Sequence, residues 1–255
     1  MIRIYSEREF SRIRKACEII PRAFEVAKPN VQAGITTAEL NRIVDSFIRS
    51  QGAVPSFIGV PGPDGVQSFP SCCCISVNDE VVHGIPGARV LEEGDIVSLD
   101  MGTRLDGFFG DSAITFPVGE ISRERRNLLD ATREALKVGI EAARPGNRVS
   151  DIGHAIESYI KPLGFGIVRE MVGHGCGSSL HEAPEIPNYG LPGKGPKLRE
   201  GMCLCIEPMI NAGDWRIGVL EDGWTVVSAD GSDSAHFEHQ IRITTTGAEI
   251  LTALD

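Results

Sequence analysis

The sequence lacks any apolar run that approaches the roughly 18 residues needed to cross a bilayer. Segment 1–24 carries charges throughout and has no uninterrupted apolar core of the kind that a secretory signal requires, so it is expected to be a helix. No basic stretch is interleaved with aromatic residues, and the formal net charge is -10, which argues against a nucleic-acid surface or an anionic-membrane patch. We therefore expect a cytoplasmic protein with neither a nucleic-acid nor a membrane partner.

Cysteine-based sites are also disfavoured. The seven cysteines are an odd number and no CxxC pair occurs, which indicates free thiols in a reducing compartment rather than a disulfide framework or a thiolate zinc site. The three consecutive cysteines at 72–74 would point to alternating faces of a strand, so packing is their expected role. Cys203 and Cys205 should share a strand face with Glu207 and line any cavity there, without acting as ligands.

The length and the apolar periodicity predict a globular chain of mixed helices and strands. A chain of 255 residues can bury one sizeable core, and we expect a single domain over 1–255. Thr36 or Thr37 can cap the second helix, with Glu39 in its first turn. Helices are expected at about 7–26, 37–51, 123–143 and 150–161, and strands at about 72–77, 96–103, 108–116, 167–172, 202–210, 224–228 and 236–245.

Two blocks of the sequence match two later blocks in the same order. Segment 90–101 (VLEEGDIVSLDM) matches the segment KLREGMCLCIEP at an offset of 107 residues, which aligns Asp100 with Glu207. Segment 34–52 matches segment 146–164 at an offset of 112 residues. This order predicts two related halves packed around a shared centre, at which each half could aim one acid.

Asp100 and Asp111 flank a predicted hairpin, because Asp106 and Gly107 form a strong turn signal between their strands. In that hairpin the two acids sit almost opposite each other, and on a shared face their Cβ atoms would be roughly 4.5–5.5 Å apart. Two ionised carboxylates at that distance repel unless one is protonated or a cation lies between them. Taken alone, the pair fits a solvated hairpin face equally well.

Three further polar residues lie beside apolar or glycine-rich segments. His174 lies in a Gly-rich loop (VGHGCGSSLHEAP, 172–184) after an apolar strand, where glycines let the backbone approach a ligand closely. Glu207 ends an apolar run, so its burial is costly unless it is paired or metal-bound. Glu238 likewise stands at the start of an apolar strand pattern.

Together, Asp100, Asp111, His174, Glu207 and Glu238 offer four carboxylates and one imidazole. Their total charge of about -4 balances two divalent cations, and the oxygen-rich set suits Mn, Fe, Co or Zn better than a thiolate site would. In two-metal hydrolases the ions lie roughly 3.5–4 Å apart, activate a water and polarise the scissile carbonyl. Such a centre can also bind a free amine, which favours hydrolysis of an N-terminal peptide bond. Without a metal, the four acids would lack counter-charge.

Motifs along essentially the whole chain resemble those of the methionine aminopeptidases, which share the pita-bread (creatinase/aminopeptidase-like) fold. The motifs are ISVNDEVVHGIP around His83, SLDMG with Asp100, GFFGDSA with Asp111, GHGCG with His174, LHEAPEIPNYG with His181, IEPM with Glu207, DGWTV with Trp224 and HFEHQI with Glu238. The chain has no Cys-rich N-terminal extension, which resembles the short type I form. The resemblance implies an α+β fold of two pseudo-symmetric halves, in which helices cover a curved antiparallel sheet, and a single metallo-aminopeptidase domain over 1–255.

The resemblance also implies a role for each ligand. Asp100 would bind one metal ion, His174 and Glu207 would bind the other, and Asp111 and Glu238 would bridge both. The metal could be Co, Mn, Fe or Zn. Glu207 would in addition carry a proton to the leaving amine.

Substrate contacts are implied in the same way. His83 and His181 would hydrogen-bond the substrate and the developing tetrahedral species, without being permanent metal ligands. Phe69, Cys74 and Trp224 occupy positions that wall the pocket for the methionine side chain.

Two departures from the family pattern concern this pocket. Loop 56–68 (SFIGVPGPDGVQS) differs from the usual pocket-lining stretch, and Leu180 stands where an aromatic residue often precedes the second histidine. The shape of the outer wall of the pocket is therefore left open by the sequence.

The implied activity is removal of the N-terminal methionine from nascent proteins and peptides whose second residue is small. The enzyme would act as a monomer that associates transiently with the ribosome. A proline-specific peptidase of the same fold is one alternative, but such enzymes generally carry an additional N-terminal domain, and fewer than 100 residues precede Asp100 here. A non-catalytic binding module is another, but such proteins usually lose ligands, and this chain keeps all five.

Overall fold

The structure is a computed structural model that describes residues 2–253. In the first half of the chain, the elements are α1 (Glu7–Cys17), α2 (Ile19–Ala27), α3 (Thr37–Ser50), β1 (Val54–Pro55), β2 (Cys73–Val77), β3 (Glu80–Val82), β4 (Ile96–Leu105) and β5 (Phe108–Pro117). In the second half they are α4 (Arg123–Ala142), α5 (Val149–Ile160), β6 (Gly166–Ile167), β7 (Gly173–Gly175), β8 (Glu182–Ile186), β9 (Cys203–Ile206), β10 (Met209–Asn211), β11 (Ile217–Val219), β12 (Val226–Ser228), β13 (Ser234–His236), β14 (His239–Ile243) and β15 (Ala248–Ile250). Short 3-10 helices, Lys28–Asn30 and Lys161–Leu163, follow α2 and α5.

The N-terminal helical segment is broken, whereas the apolar spacing predicts one helix over 7–26. Helix α1 ends at Cys17 and α2 begins at Ile19. The cause is Pro21, which has no N–H to donate to the carbonyl of Cys17 and whose ring would clash with that carbonyl in a continuous helix. The single-helix prediction is therefore wrong at Glu18, although both pieces bury apolar faces as expected.

Helix α3 begins as predicted. The Thr36 hydroxyl accepts a hydrogen bond from the Glu39 N–H, and the Glu39 carboxylate accepts one from the Thr36 N–H, which forms a reciprocal capping box. Its buried face, Leu40, Val44 and Ile48, packs into the core of the first half.

The strands form four small antiparallel sheets. In the first half, β4 pairs with β2, β5 and β1; in the second half, the order is β15-β14-β9-β7-β8. The two smaller sheets have the strand orders β13-β10-β6 and β11-β12-β3. Helices α2 and α3 share a core with β2 and β4, while α4 and α5 share another with β9, β10 and β14.

The two halves are related as the repeat predicts. The offset of 112 residues aligns Thr37 with Val149, and these are the first residues of α3 and α5. The offset of 107 residues aligns Ile96 with Cys203, and these are the first residues of β4 and β9. The architecture is thus α+β with two similar halves, as expected.

Several predicted strands of the second half are interrupted. The stretch 202–210 is divided into β9 and β10 by Glu207 and Pro208, and the stretch 236–245 is divided by Phe237 and Glu238. Pro208 cannot donate to a sheet ladder, which ends β9 at that point. Both gaps therefore fall at the acids that the sequence singles out. Within residues 2–253, no helix combines the length and the apolar character that crossing a membrane would require.

Candidate metal centre

The β4–β5 hairpin places Asp100 and Asp111 on one face, but not directly opposite each other. Its register pairs Asp100 with Ala113 and Asp111 with Gly102, with the two-residue turn at 106–107. The acids are therefore diagonal neighbours, which lie roughly 7–8 Å apart in a sheet. The prediction that the two acids share a face is confirmed. The prediction that they lie almost opposite each other is wrong, because Asp111 is two residues from Ala113, the partner of Asp100. This offset leaves more room between the carboxylates.

The second half brings His174 and Glu207 to the same point. His174 Nε2 lies 3.4 Å from Glu207 Oε1 and 3.8 Å from Asp111 Oδ2. Its other ring nitrogen, Nδ1, donates to the Gly175 carbonyl at 2.9 Å, because a carbonyl oxygen can only accept. In the neutral ring Nε2 then carries a lone pair that faces two carboxylates, as a metal ligand would.

The glycines beside His174 allow this placement. A Cβ added at Gly173 would lie 2.4 Å from the Cys205 carbonyl oxygen, and one at Gly175 would lie 2.6 Å from the Ala183 carbonyl oxygen. Side chains at these positions would push β7 away from β8 and β9. The glycines therefore allow close packing of these strands, and the predicted close approach of backbone to a ligand stays a prediction.

Glu238 lies where the two halves join. Its N–H donates to the Ala113 carbonyl at 2.9 Å, and its carbonyl accepts from the Ser112 hydroxyl at 2.5 Å. The Asp111 N–H donates to the Gln240 side chain at 2.9 Å. These bonds tie β5 to the residues before β14 and bring the carboxylates of Asp111 and Glu238 together.

No Lys or Arg side chain forms an ion pair with any of the four acids among the described residues; Asp111 and Glu238 are buried, and Asp100 and Glu207 are partly exposed to the cavity. Burial raises the pKa of Asp100 to about 7 and that of Glu207 to about 7. Burial, and then the neighbouring acids, raise the pKa of Asp111 and of Glu238 well above their ordinary values. One oxygen each of Asp100, Asp111 and Glu238 has no hydrogen-bond partner among the residues that the structure describes. Buried acids with unpaired oxygens fit bound cations, which would supply the missing counter-charge.

Cys205 lies closer to the centre than the sequence analysis places it. The ligand atoms of Asp111, His174, Cys205 and Glu238 all lie within 4.8 Å of one another. Burial raises the pKa of the Cys205 thiol well above its ordinary value, so the thiol stays protonated beside the carboxylates of Asp111 and Glu238. Cys203 and Cys205 alternate along β9, and Glu207 follows that strand two residues after Cys205, in line with the predicted shared face.

A cavity of about 850 Å³ opens over this centre. Its wall includes the three predicted pocket residues, Phe69, Cys74 and Trp224. It also includes two that the sequence left unassigned, Phe57 from loop 56–68 and Leu180. The Trp224 ring packs edge-on against Phe69 at 5.1 Å, and its N–H donates to a carbonyl of the same loop at 2.8 Å. The loop therefore forms the outer wall.

His83 and His181 line the same cavity. The His83 backbone has a φ of 61°, a left-handed conformation that is rare outside glycine and is often held at functional sites. Burial, with a smaller contribution from His236, lowers the His83 pKa to about 4. The His181 ring packs edge-on against His174 at 4.5 Å, and its pKa is also lowered by desolvation. Both rings are thus neutral at pH 7.

His236 is a site residue that sequence reasoning missed. It is only 1 % exposed, and its Nε2 lies 3.5 Å from Glu207 Oε2. The available signal was a polar residue inside an apolar strand pattern, two positions before Glu238. The sequence alone does not distinguish it from an ordinary core histidine.

The chain is similar to characterised peptidases over its whole length. The model of metallopeptidase family M24 matches residues 11–245. Methionine aminopeptidase 1 of Bacillus subtilis is 50% identical, with 99% of each chain covered. The methionine aminopeptidase of Clostridium perfringens is 49% identical, with 100% of each chain covered.

Solved structures agree with these relatives. The methionine aminopeptidase of Thermotoga maritima superposes with a TM-score of 0.96 at 43% identity and covers 100% of both chains. The prolidase of Pyrococcus furiosus superposes with a TM-score of 0.80 at 25% identity, and the match covers 99% of this chain but 66% of the prolidase. The likeness to the aminopeptidase is therefore both closer and more complete.

Proposed function

The chain belongs to metallopeptidase family M24 and, within it, to the methionine aminopeptidases, and from this premise we infer that it removes the N-terminal methionine from peptides and nascent proteins whose second residue is small. Its fold is the pita-bread fold that the resemblance implied. It is a metal-dependent hydrolase, and a peptide N-terminus is its substrate.

One observation carries this function. Two buried acids, two partly buried acids and one imidazole meet between the two halves of the chain, and three of the acids keep an unpaired buried oxygen. Oxygen-rich donor sets with one imidazole suit divalent Mn, Fe, Co and Zn. This donor set supports two divalent cations as cofactors.

We propose the following division of ligands. Asp100 would hold one cation, His174 and Glu207 would hold the other, and Asp111 and Glu238 would contribute carboxylates to both. The support is that Asp111 lies between Asp100 on its own sheet and His174 on the other half. When bound, the two cations supply Lewis acidity for the scissile carbonyl and lower the pKa of the attacking water.

We assign proton transfer to Glu207 and hydrogen bonding to the substrate to two imidazoles. Glu207, which lies at the cavity wall, would take a proton from the attacking water and give it to the leaving amine. His83 and His181, both neutral, donate hydrogen bonds from the cavity wall to the substrate carbonyl and to the oxyanion that develops from it.

The apolar part of the cavity accepts the methionine side chain. Phe57, Phe69 and Trp224 offer aromatic edges and Leu180 an aliphatic wall. A thioether gains from contacts with aromatic rings, and its unbranched chain fits a narrow apolar pocket. Cys74, whose thiol is kept neutral by burial, completes the wall as a small apolar group.

We expect the metal-loaded protein to cleave Met-Ala-Ser at least about tenfold more efficiently, in kcat/KM, than Met-Leu-Ser. The reason is that a large second side chain must fit between the pocket and the histidines. The measurement is the release of free methionine from both peptides at equal metal loading. An X-Pro peptide such as Ala-Pro-Ser serves as the matched control for a proline-specific activity. Preference for that peptide would overturn the proposed specificity.

The cellular setting is also a proposal. We propose that residues 1–255 form a single metallo-aminopeptidase domain that acts in the cytoplasm as a monomer, on nascent chains, with transient ribosome association. The ligands come from both halves, which supports one domain. The seven cysteines are buried and free, which suits a reducing compartment.

A further inference from the structure

His236 stands in an environment that the catalytic roles above do not explain. Its ring is almost completely buried, and neither ring nitrogen has a hydrogen-bond partner among residues 2–253. A buried polar group without a partner destabilises the folded state. The nearest acceptor is Glu207 Oε2, at 3.5 Å from Nε2. The ring thus faces a metal ligand, at slightly more than hydrogen-bond distance.

Glu207 lies between two imidazoles that play different parts. Its Oε1 faces His174 Nε2 at 3.4 Å, and its Oε2 faces His236 Nε2 at 3.5 Å. Because His174 donates its Nδ1–H to a carbonyl, its Nε2 has no proton to offer when the ring is neutral. When Glu207 is ionised, Oε1 and this nitrogen both offer lone pairs, and a shared cation would bring them together. Toward Oε2, by contrast, an Nε2–H of His236 is attractive.

Hydrogen bonds hold the backbone of both His236 and Glu207 in place. The His236 N–H donates to the Thr115 hydroxyl at 2.9 Å, and that hydroxyl donates to the His236 carbonyl at 2.8 Å. Strand β13, which carries His236, pairs with β10, and the Glu207 carbonyl accepts from the Asn188 amide at 3.0 Å. The fold therefore sets the distance between the imidazole and the carboxylate.

We propose that His236 is a positioning residue whose Nε2–H donates to Glu207 Oε2 and so reserves Oε1 for the cation that His174 binds. This rests on the proposed metal centre. Without the donor, nothing selects between the two carboxylate oxygens, and Glu207 is free to turn away from the neighbouring Asp100. Partners of this kind, which hold a metal ligand from behind, typically change metal affinity by about 10- to 100-fold when they are removed.

The test compares two amides at position 236. In His236→Gln the amide nitrogen reaches the position of Nε2 and can donate to Glu207, whereas in His236→Asn the amide is too short to do so. The affinity for Mn²⁺ alone is measured by electron paramagnetic resonance of the free ion, for the parent chain and both variants. Urea unfolding of the metal-free proteins checks that each is folded, and His236→Leu replaces the Asn variant if that one does not fold.

We expect His236→Gln to bind Mn²⁺ within a few-fold of the parent, and His236→Asn to lose about tenfold or more. Equal affinity in the parent and the short variant would overturn the inference, and so would an equal loss in both variants, because a merely structural role does not depend on the reach of the amide. If the parent itself fails to bind Mn²⁺, the proposed metal centre falls, which is a different result from failure of the His236 inference alone.

Discussion

Replacement of Glu207 by glutamine is expected to lower kcat for Met-Ala-Ser by about 10³-fold, because the amide can neither accept the proton of the attacking water nor hold a cation as a carboxylate does. The fold should persist. Burial already raises the Glu207 pKa to about 7, so a neutral amide of the same shape adds no desolvation cost. The measurement is single-substrate kinetics at saturating Mn²⁺, combined with urea unfolding.

The matched control is Glu25→Gln, which makes the same chemical change on the exposed face of α2. It should leave kcat unchanged. If Glu207→Gln retained kcat within a few-fold of the parent, Glu207 would have no part in the proton steps, whatever its contribution to metal binding.

The second large effect concerns stability in the absence of metal. Above about pH 6.5, the free energy of unfolding of the metal-free protein should fall as the pH rises. Burial and mutual repulsion raise the pKa of Asp111 and Glu238 well above their unfolded values, and burial raises that of Asp100 to about 7. A carboxyl group whose pKa is raised in the folded state contributes to stability at low pH, where it is protonated. This contribution is lost as the pH rises toward the folded-state pKa.

The histidines act in the opposite direction, but in a lower window. The pKa values of His83 and His239 are lowered to about 4, and burial also lowers those of His174, His181 and His236. Their contribution to stability rises with pH and levels off roughly one unit above 6.5, the ordinary value, so the carboxyls dominate the slope increasingly as the pH rises from 6.5 to 8. One extra proton bound by the folded state gives a slope of about 1.4 kcal/mol per pH unit.

Urea unfolding between pH 6.5 and 8, with a chelator and then with Mn²⁺, measures this slope. We expect the free energy of unfolding of the chelated protein to fall as the pH rises, and Mn²⁺ to reverse this loss. In metal-free Asp111→Asn, the free energy of unfolding should fall less steeply with pH. Stability that rises with pH across this window in the chelated protein would mean that the acids are not crowded as the structure places them.

Much of the site could be predicted from the sequence because its ligands interrupt clear patterns. Asp100 and Glu207 fall at equivalent places in the two halves, and Glu207 and Glu238 each end or begin an apolar run. The repeat itself aligned the first residues of α3 with α5 and of β4 with β9. Because each half repeats the same sequence pattern, the pattern predicts the same elements in both halves.

What the sequence could not supply was how the strands pack against one another. The register of the hairpin was within its reach, because a two-residue turn at Asp106-Gly107 pairs Asp100 with Ala113 and so places Asp111 two residues from the opposed position. Pro21 breaks the first helix although the apolar spacing continues through it. His236 and Cys205 became site residues only when the strands that carry them packed against Glu207 and Glu238.

We propose that five side chains from two similar halves hold two divalent cations that the reaction requires. A titration of chelator-stripped protein with Mn²⁺, with turnover of Met-Ala-Ser and bound metal followed in the same samples, tests this proposal. We expect negligible turnover without metal, recovery as Mn²⁺ binds, and saturation at two ions per chain. Full activity in the stripped protein would contradict it.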